Sequence, residues 1–216
     1  MRSLPESSVM SHLLKCSTYR NFRPSELIIH QGDAPKGVWI IVKGQVKVWR
    51  ADAVGNVDVL AFRGRRDVIG RTALLGERLR SANVEASERS TVALVPSGTY
   101  LELMERHGLG DRVLGDISDR LAESLIVRGG SNPSARLAFL LTRVLDRRGT
   151  AEGTRKAGPV VLRSTHEDLG RHLGMPRNAI SRMLGELGDA GVRTRRGQIE
   201  IVDNEKLRAL ARIVQV

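Results

Sequence analysis

Residues 164–203 read STHEDLGRHLGMPRNAISRMLGELGDAGVRTRRGQIEIVD, and the folding of the C-terminal third is decided here. Ser164-x-x-Glu167 has the spacing of a capping box, in which a hydroxyl and a carboxylate close the first turn of a helix. Leu169 and Leu173 then share one face, and Gly174 ends the helix and permits a tight turn. Pro176 suits the first position of a second helix, where a missing N–H costs nothing. In that helix Ala179, Ile180, Met183, Leu184 and Leu187 make a buried face, and Arg177, Asn178, Ser181 and Arg182 an exposed one. Gly191 stops it, and VRTRRGQIEIV reads as a hairpin with Arg195, Arg196 and Gly197 at its tip. The stretch is a helix-turn-helix, residues 165–184, followed by a wing.

Such a unit points to double-stranded DNA. The major groove admits one α-helix, and side chains at the helix's N-terminal end reach the base edges. An arginine there can bond guanine O6 and N7 together, while backbone N–H groups at a helix start grip phosphate. Arg177, Asn178, Ser181 and Arg182 are expected to face the bases, with Thr165 and His166 at the start of the first helix and Arg195 and Arg196 on the wing meeting the backbone. Charge agrees with this. Residues 131–216 carry 16 Lys+Arg against 9 Asp+Glu, whereas residues 1–130 carry 19 against 15. The basic excess therefore concentrates in the part that carries the motif.

Outward from the motif, SARLAFLLTRVLDRRG (134–149) predicts an amphipathic helix and PVVLR a short strand, joined by the polar loop TAEGTRKAG (150–158). Upstream, GGSNPS (129–134) reads as a hinge, because two glycines and an Asn-Pro pair disfavour a continuous helix. Before it, residues 99–128 predict helix with a break near Gly108 and Gly110. Leu114, Ile117, Leu121, Ser124 and Arg128 step by three and four residues, the spacing of a helix–helix seam. That seam suits either a partner copy or packing on the chain's own β domain. Residues 22–96 alternate apolar and polar, with glycines at the breaks. Short strands at near-regular spacing predict a barrel or jelly roll. The fold class is α+β: a β sensor domain over 10–106, a long dimerisation helix over 108–129, and a winged helix-turn-helix domain over 130–216.

Composition excludes several alternatives. One cysteine, Cys16, in 216 residues rules out a disulfide framework or a Cys-built zinc site within the chain. There is no run of about 20 apolar residues to span a membrane, and residues 1–16 lack the apolar core of a signal peptide, so a cytoplasmic protein is expected. A cupin-like barrel enzyme would need clustered histidines, but the predicted strands offer only His30. His166 and His172, six apart on a helix, are expected to face solvent or phosphate. The chain reads as a regulator and not an enzyme.

At this point both halves resemble the Crp/Fnr (cyclic-AMP receptor protein and fumarate–nitrate regulator) superfamily of bacterial transcriptional regulators. The residues that carry the resemblance are Gln31-Gly32-Asp33, the run Val42-Lys43-Gly44-Gln45-Val46-Lys47-Val48, Asp67-Val68-Ile69-Gly70 and Arg80-Ser81-Ala82. In the C-terminal half they are Thr165 through Gly174, Arg177, Ile180, Ser181 and Arg182. The resemblance implies a homodimer joined along the long helix, reading an inverted repeat in DNA and working with RNA polymerase. It implies an effector site at Gly70, Arg71, Thr72, Arg80, Ser81 and Ala82, with Ser124 of the long helix added, for a cyclic nucleotide such as cAMP or another anionic nucleotide. The ligand would set DNA affinity through the long helix and the hinge.

Two departures from the family pattern stand out. The position that holds a ribose-binding glutamate in cyclic-nucleotide-binding members holds Arg71. A carboxylate accepts hydroxyl hydrogen bonds, whereas a guanidinium only donates. With Arg80 and Arg66 nearby, either a more anionic effector separates the positive charges, or Arg71 points outward and the pocket is weak or empty, leaving an effector-independent DNA-binding protein. Second, Asn178 stands where members reading a TGTGA-type half-site have glutamate. Asparagine pairs with adenine and poorly with cytosine, so the base beneath it is expected to change.

Overall fold

The computed structural model describes residues 6–129, 132–149 and 159–212. Residues 130 and 131 of the expected hinge and the polar loop 150–158 lie outside the described residues. A short helix α1 (Glu6–Lys15) precedes eight strands: β1 (Thr18–Phe22), β2 (Leu27–Ile29), β3 (Gly37–Lys43), β4 (Val46–Ala51), β5 (Val57–Arg63), β6 (Val68–Ile69), β7 (Asn83–Ala86) and β8 (Ser90–Pro96). They form two four-stranded sheets, β1-β8-β3-β6 and β2-β7-β4-β5. This is a jelly-roll arrangement of two sheets and not a closed barrel. Helix α2 (Arg71–Leu75) sits between β6 and β7, and α3 (Ser97–Arg106) and the 20-residue α4 (Gly110–Gly129) follow β8.

Strand β3 pairs antiparallel with β8 on one side, Trp39 opposite Leu94, and with β6 on the other, Trp39 opposite Ile69. Its residues Val38 to Ile41 are all buried. The alternation of faces expected there is therefore not one wet and one dry face, because a central strand is covered on both. Val38, Ile40, Ala93, Val95, Tyr100 and Leu103 form the first core.

The chain divides into two compact units: residues up to 46 with 65–121, and residues 47–64 with 122–216. The second unit contains α5 (Pro133–Gly149), β9 (Val160–Arg163), α6 (His166–Leu173), α7 (Arg177–Glu186), a single 3-10 turn (Leu187–Ala190), β10 (Val192–Arg195), β11 (Gln198–Ile201) and α8 (Asn204–Ala211). The sheet order β10-β11-β9 makes the wing, with Thr194 opposite Ile199. Its core joins Leu137 and Leu141 of α5 to Leu169, Ile180, Leu184 and Ile199. Val59 and Phe62 of β5 belong to the same core. The β4–β5 hairpin thus packs with the winged helix, although its sequence lies inside the expected sensor range.

Local details correct the sequence reading. The cap of α6 is Thr165, not Ser164: its Oγ1 accepts from Asp168 N and donates to Asp168 Oδ2, each at 3.0 Å. The reciprocal pair is a capping interaction shifted by one residue, and Asp168 takes the place expected of Glu167. Pro176 is the N-cap of α7 rather than its first helical residue, with extended backbone (φ −68°, ψ 149°). Gly174 ends α6 in the left-handed conformation, φ 69°, as a C-terminal glycine does. Ala179 is half-buried, while Ile180, Met183, Leu184 and Leu187 are buried as expected.

Candidate nucleic-acid interface and effector cassette

Arg177, Asn178, Ser181 and Arg182 all lie exposed on α7. The Ser181 hydroxyl donates to the Arg177 carbonyl at 3.1 Å and lies 2.8 Å from His166 Nδ1. With the hydroxyl proton committed to that carbonyl, the ring nitrogen is the donor to Ser181 Oγ. His166 thus ties the start of α6 to the middle of α7. The start of α6, the start of α7 and the wing tip enclose a cleft of about 530 Å³ lined by Thr165, His166, Glu167, Arg177, Thr194, Arg195, Arg196 and Gly197. Five of the eight residues expected to meet DNA line this one cleft, and Asn178, Ser181 and Arg182 continue its edge along α7.

The arginines around it are lightly held. Arg182 Nε is 3.7 Å from Glu186 Oε1 with its side chain 77% exposed, and Arg195 Nε is 3.4 Å from Glu200 Oε1 with 71% exposed. Exposed ion pairs of this kind contribute about 0–1 kcal/mol, so a phosphate or a guanine edge can displace the carboxylate.

The support behind the interface is partly unforeseen. His172 is buried, not solvent-facing: its Nδ1 is 2.9 Å from the Val59 carbonyl, and its ring meets Phe62 edge-on at 5.6 Å. Lys47 of β4 pairs with Asp168 at 3.0 Å, the same carboxylate that accepts from the hydroxyl of the capping Thr165. Arg136 is buried on α5, donating from Nε to the Val127 carbonyl at 2.7 Å and from Nη2 to the Leu173 carbonyl that ends α6. Burial holds the Arg136 pKa below its ordinary value. A helical-period signal for His172 did exist, since it follows Leu169 by three residues and adjoins Leu173.

In the first unit, Arg80 is 6% exposed. Its guanidinium donates to the Gly70 and Gly37 carbonyls, each at 2.6 Å. Burial lowers its pKa, and the Asp33 carboxylate partly offsets this. Gly70 has φ 83°, and a Cβ there would meet Arg80 Nη1 at 2.3 Å, so only glycine lets the guanidinium lie against this turn. Ser81 and Thr72 are exposed and Ala82 half-buried beside it.

Arg71 does not point outward. It is half-buried, donates from Nη2 to Asp116 Oδ2 of α4, and hydrogen-bonds the buried Tyr100. The two arginines thus have separate partners within the chain, an arrangement that neither expectation, a shared external anion or an outward-pointing Arg71, had described. Partial burial pulls the Asp116 pKa up, but Arg120 and Arg71 outweigh it and hold the carboxyl below its ordinary value. Burial pushes the Tyr100 phenol up, opposed by Arg71. Arg66 is exposed, with its own φ of 70°. Ser124 is half-buried on the part of α4 that belongs to the second unit. Among the described residues, no group of three or more His, Cys, Asp or Glu could hold a metal ion, and no helix is long and apolar enough to cross a membrane.

A jelly roll with a buried arginine at a glycine turn, a long helix and a winged helix-turn-helix define a DNA-binding transcription regulator with a nucleotide-binding-type β domain. Family models agree part by part: the cyclic nucleotide-binding domain matches residues 19–107, and the Crp-like helix-turn-helix domain matches residues 135–210. The chain belongs to the Crp/Fnr family of transcriptional regulators and is not an enzyme. It is 28% identical over 189 residues to the cyclic AMP receptor protein of Thermus thermophilus, covering 85% of this chain and 83% of that protein. Among solved structures, a protein from Ruegeria pomeroyi assigned to cyclic nucleotide binding is 25% identical, with a TM-score of 0.71 over 98% of this chain and 92% of the other. A Crp/Fnr-family regulator from Thermus thermophilus shares the fold at 21% identity and a TM-score of 0.64, covering 90% and 98% of the two chains.

Proposed function

We propose that this chain is a dimeric, sequence-specific regulator that reads an inverted repeat in double-stranded DNA. One observation carries the reading: α7 presents Arg177, Asn178, Ser181 and Arg182 to solvent at the edge of a cleft whose other wall is the basic wing tip. Arg177, Asn178 and Arg182 take the bases, with Ser181, Thr165, His166, Arg195 and Arg196 on phosphates. The second copy docks along α4, where Leu114, Leu121 and Leu125 are 60%, 62% and 66% exposed. Exposed leucines at this spacing support a helix–helix seam. As a DNA-binding regulator it works in the cytoplasm, with RNA polymerase as the further partner.

The residues Gly70, Arg71, Thr72, Arg80, Ser81 and Ala82 form the effector cassette, and the ligand class is a cyclic nucleotide or another small anionic nucleotide. The match to the cyclic nucleotide-binding domain supports this. A second reading, regulation without a small ligand, has its own observation: two N–H groups of Arg80 are already taken by the Gly37 and Gly70 carbonyls. Selection of duplexes from a random pool tests the DNA reading. An inverted repeat with guanines beneath Arg177 and Arg182, lost on Arg177→Ala, is expected. Recovery of no common sequence overturns it.

A further inference from the structure

A chain of alternating charges joins the cassette to the long helix. Arg71 opens α2 and donates to Asp116 on α4. Arg120, one turn further along α4, places Nε 3.2 Å from Asp116 Oδ2 and Nη2 3.2 Å from Asp67 Oδ1 in the segment before β6. The order is Asp67, Arg120, Asp116, Arg71, so the four charges cancel. Three of the four are largely withdrawn from water, the Arg71 and Asp67 side chains 11% exposed and Arg120 20%, while Asp116 is 42% exposed. Tyr100, 2% exposed, hydrogen-bonds Arg71 from α3.

The placement along α4 is regular. Buried Leu109, just before the helix, is followed by buried Val113 and then by Asp116 and Arg120, in steps of four, three and four. This single face starts apolar and turns ionic where α2 meets it. The exposed leucines 114, 121 and 125 lie on a different face. The ionic turns are therefore not part of the proposed seam.

We propose that Asp116 is the resident counter-ion of Arg71, joining the cassette to α4 and setting that helix for DNA binding with no nucleotide bound. The inference rests on the DNA-binding reading above. A tethered carboxylate has an effective concentration in the millimolar range or higher, which a free anion must exceed to compete for the same guanidinium. A ribose hydroxyl cannot replace it, because a neutral group would leave Arg71 without its negative partner in a partly dry site. An anionic ligand that did win Arg71 would release Asp116 and with it the link between α2 and α4. Such a ligand would lower DNA affinity rather than raise it.

The test uses the full chain and a duplex selected by the parent protein. Asp116→Asn and Arg71→Glu are each expected to weaken DNA binding at least about fivefold in the absence of nucleotide, the scale of a coupling between sites. The charge swap, Arg71→Glu with Asp116→Arg, is expected to bind DNA better than Arg71→Glu alone but to fall short of the parent, because the guanidinium placed at 116 also faces Arg120. That partial recovery supports the pair even where a single variant folds poorly. Millimolar cyclic AMP is expected to leave the parent's affinity unchanged. Parent-like binding by folded Asp116→Asn, or a rise in parent affinity on adding cyclic AMP, overturns the proposal. A parent that selects no duplex refutes the DNA-binding reading itself and this inference with it.

Discussion

Gly170 lies buried in α6, and replacing it by alanine sets two effects of known size against each other. Alanine is favoured over glycine inside a helix by about 1 kcal/mol. Here, however, a Cβ would stand 2.5 Å from the Met175 carbonyl oxygen and 3.7 Å from the Arg177 nitrogen. The obstacle is backbone, so no side-chain rotation relieves it, and the same turn is held by Met175 N donating to the Gly170 carbonyl at 2.8 Å. Forcing a methyl into a packed contact costs about 1–3 kcal/mol, so Gly170→Ala is expected to be net destabilising by up to roughly 2 kcal/mol. It should also weaken DNA binding, because the displaced turn leads directly into Arg177. Gly185→Ala on α7 is the control: that glycine is exposed, nothing lies within 4 Å of its added Cβ, and a gain of about 0.5–1 kcal/mol is expected. Urea denaturation reads both as midpoint shifts at constant slope. If Gly170→Ala raises the midpoint as Gly185→Ala does, the close approach of α6 to its turn is wrong, and with it the geometry assigned to the helix pair.

Arg177→Ala and Arg182→Ala should each cost about 1–3 kcal/mol of discrimination between the selected duplex and one altered at the base concerned, whereas Arg195→Ala or Arg196→Ala should weaken all duplexes alike and reduce the salt slope by about one. Competition titrations at several salt concentrations separate the two patterns. His172→Ala removes the nearer of two partners of the Val59 carbonyl, the other being Arg128 Nη2 at 3.4 Å, and the edge-on contact with Phe62, so a loss of about 1–3 kcal/mol in denaturation is expected. The depressed pKa of Asp116 has a definite sign for stability. Its contribution is present above the ordinary carboxylate value and is lost as pH falls through the lower folded value, so Asp116→Asn should flatten the fall in denaturation midpoint below about pH 4.

The helix-turn-helix and wing were legible because each boundary carries its own local chemistry: a hydroxyl cap, a left-handed glycine, a proline and a two-residue hairpin tip. Those signals act over four residues, which a sequence displays directly. What escaped were the polar groups whose partners are distant in sequence. His172 takes its hydrogen-bond partner 113 residues away in β5, and Lys47 reaches a carboxylate 121 residues on. Arg71 was read against Arg80, nine residues away, when its partner is Asp116 at a separation of 45. The two arginines did not need a shared anion, since the fold supplied one of them with a carboxylate and the other with two carbonyls. The cap shifted from Ser164 to Thr165 for a similar reason: Asp168 also holds Lys47, which favours the register that brings that carboxylate into the first turn.

These pairings bear on where an external anion can bind. The chain carries a formal charge of +11, but its arginines are not equally available. In the first unit Arg71 and Arg120 are matched by Asp116 and Asp67 in partly buried pairs, and Arg80 is buried against carbonyls. A newcomer there must break a contact that is partly withdrawn from water on the arginine side, and removing one partner of such a pair is costly. On α7 and the wing, Arg182 and Arg195 are more than two-thirds exposed and face carboxylates at 3.4–3.7 Å. Those contacts are screened over about 8 Å at physiological salt and are weak to begin with. A polyanion that presents a phosphate every few ångströms meets little resistance at the second site and considerable resistance at the first. The difference in burial, more than the number of charges, directs the basic excess of this chain toward DNA.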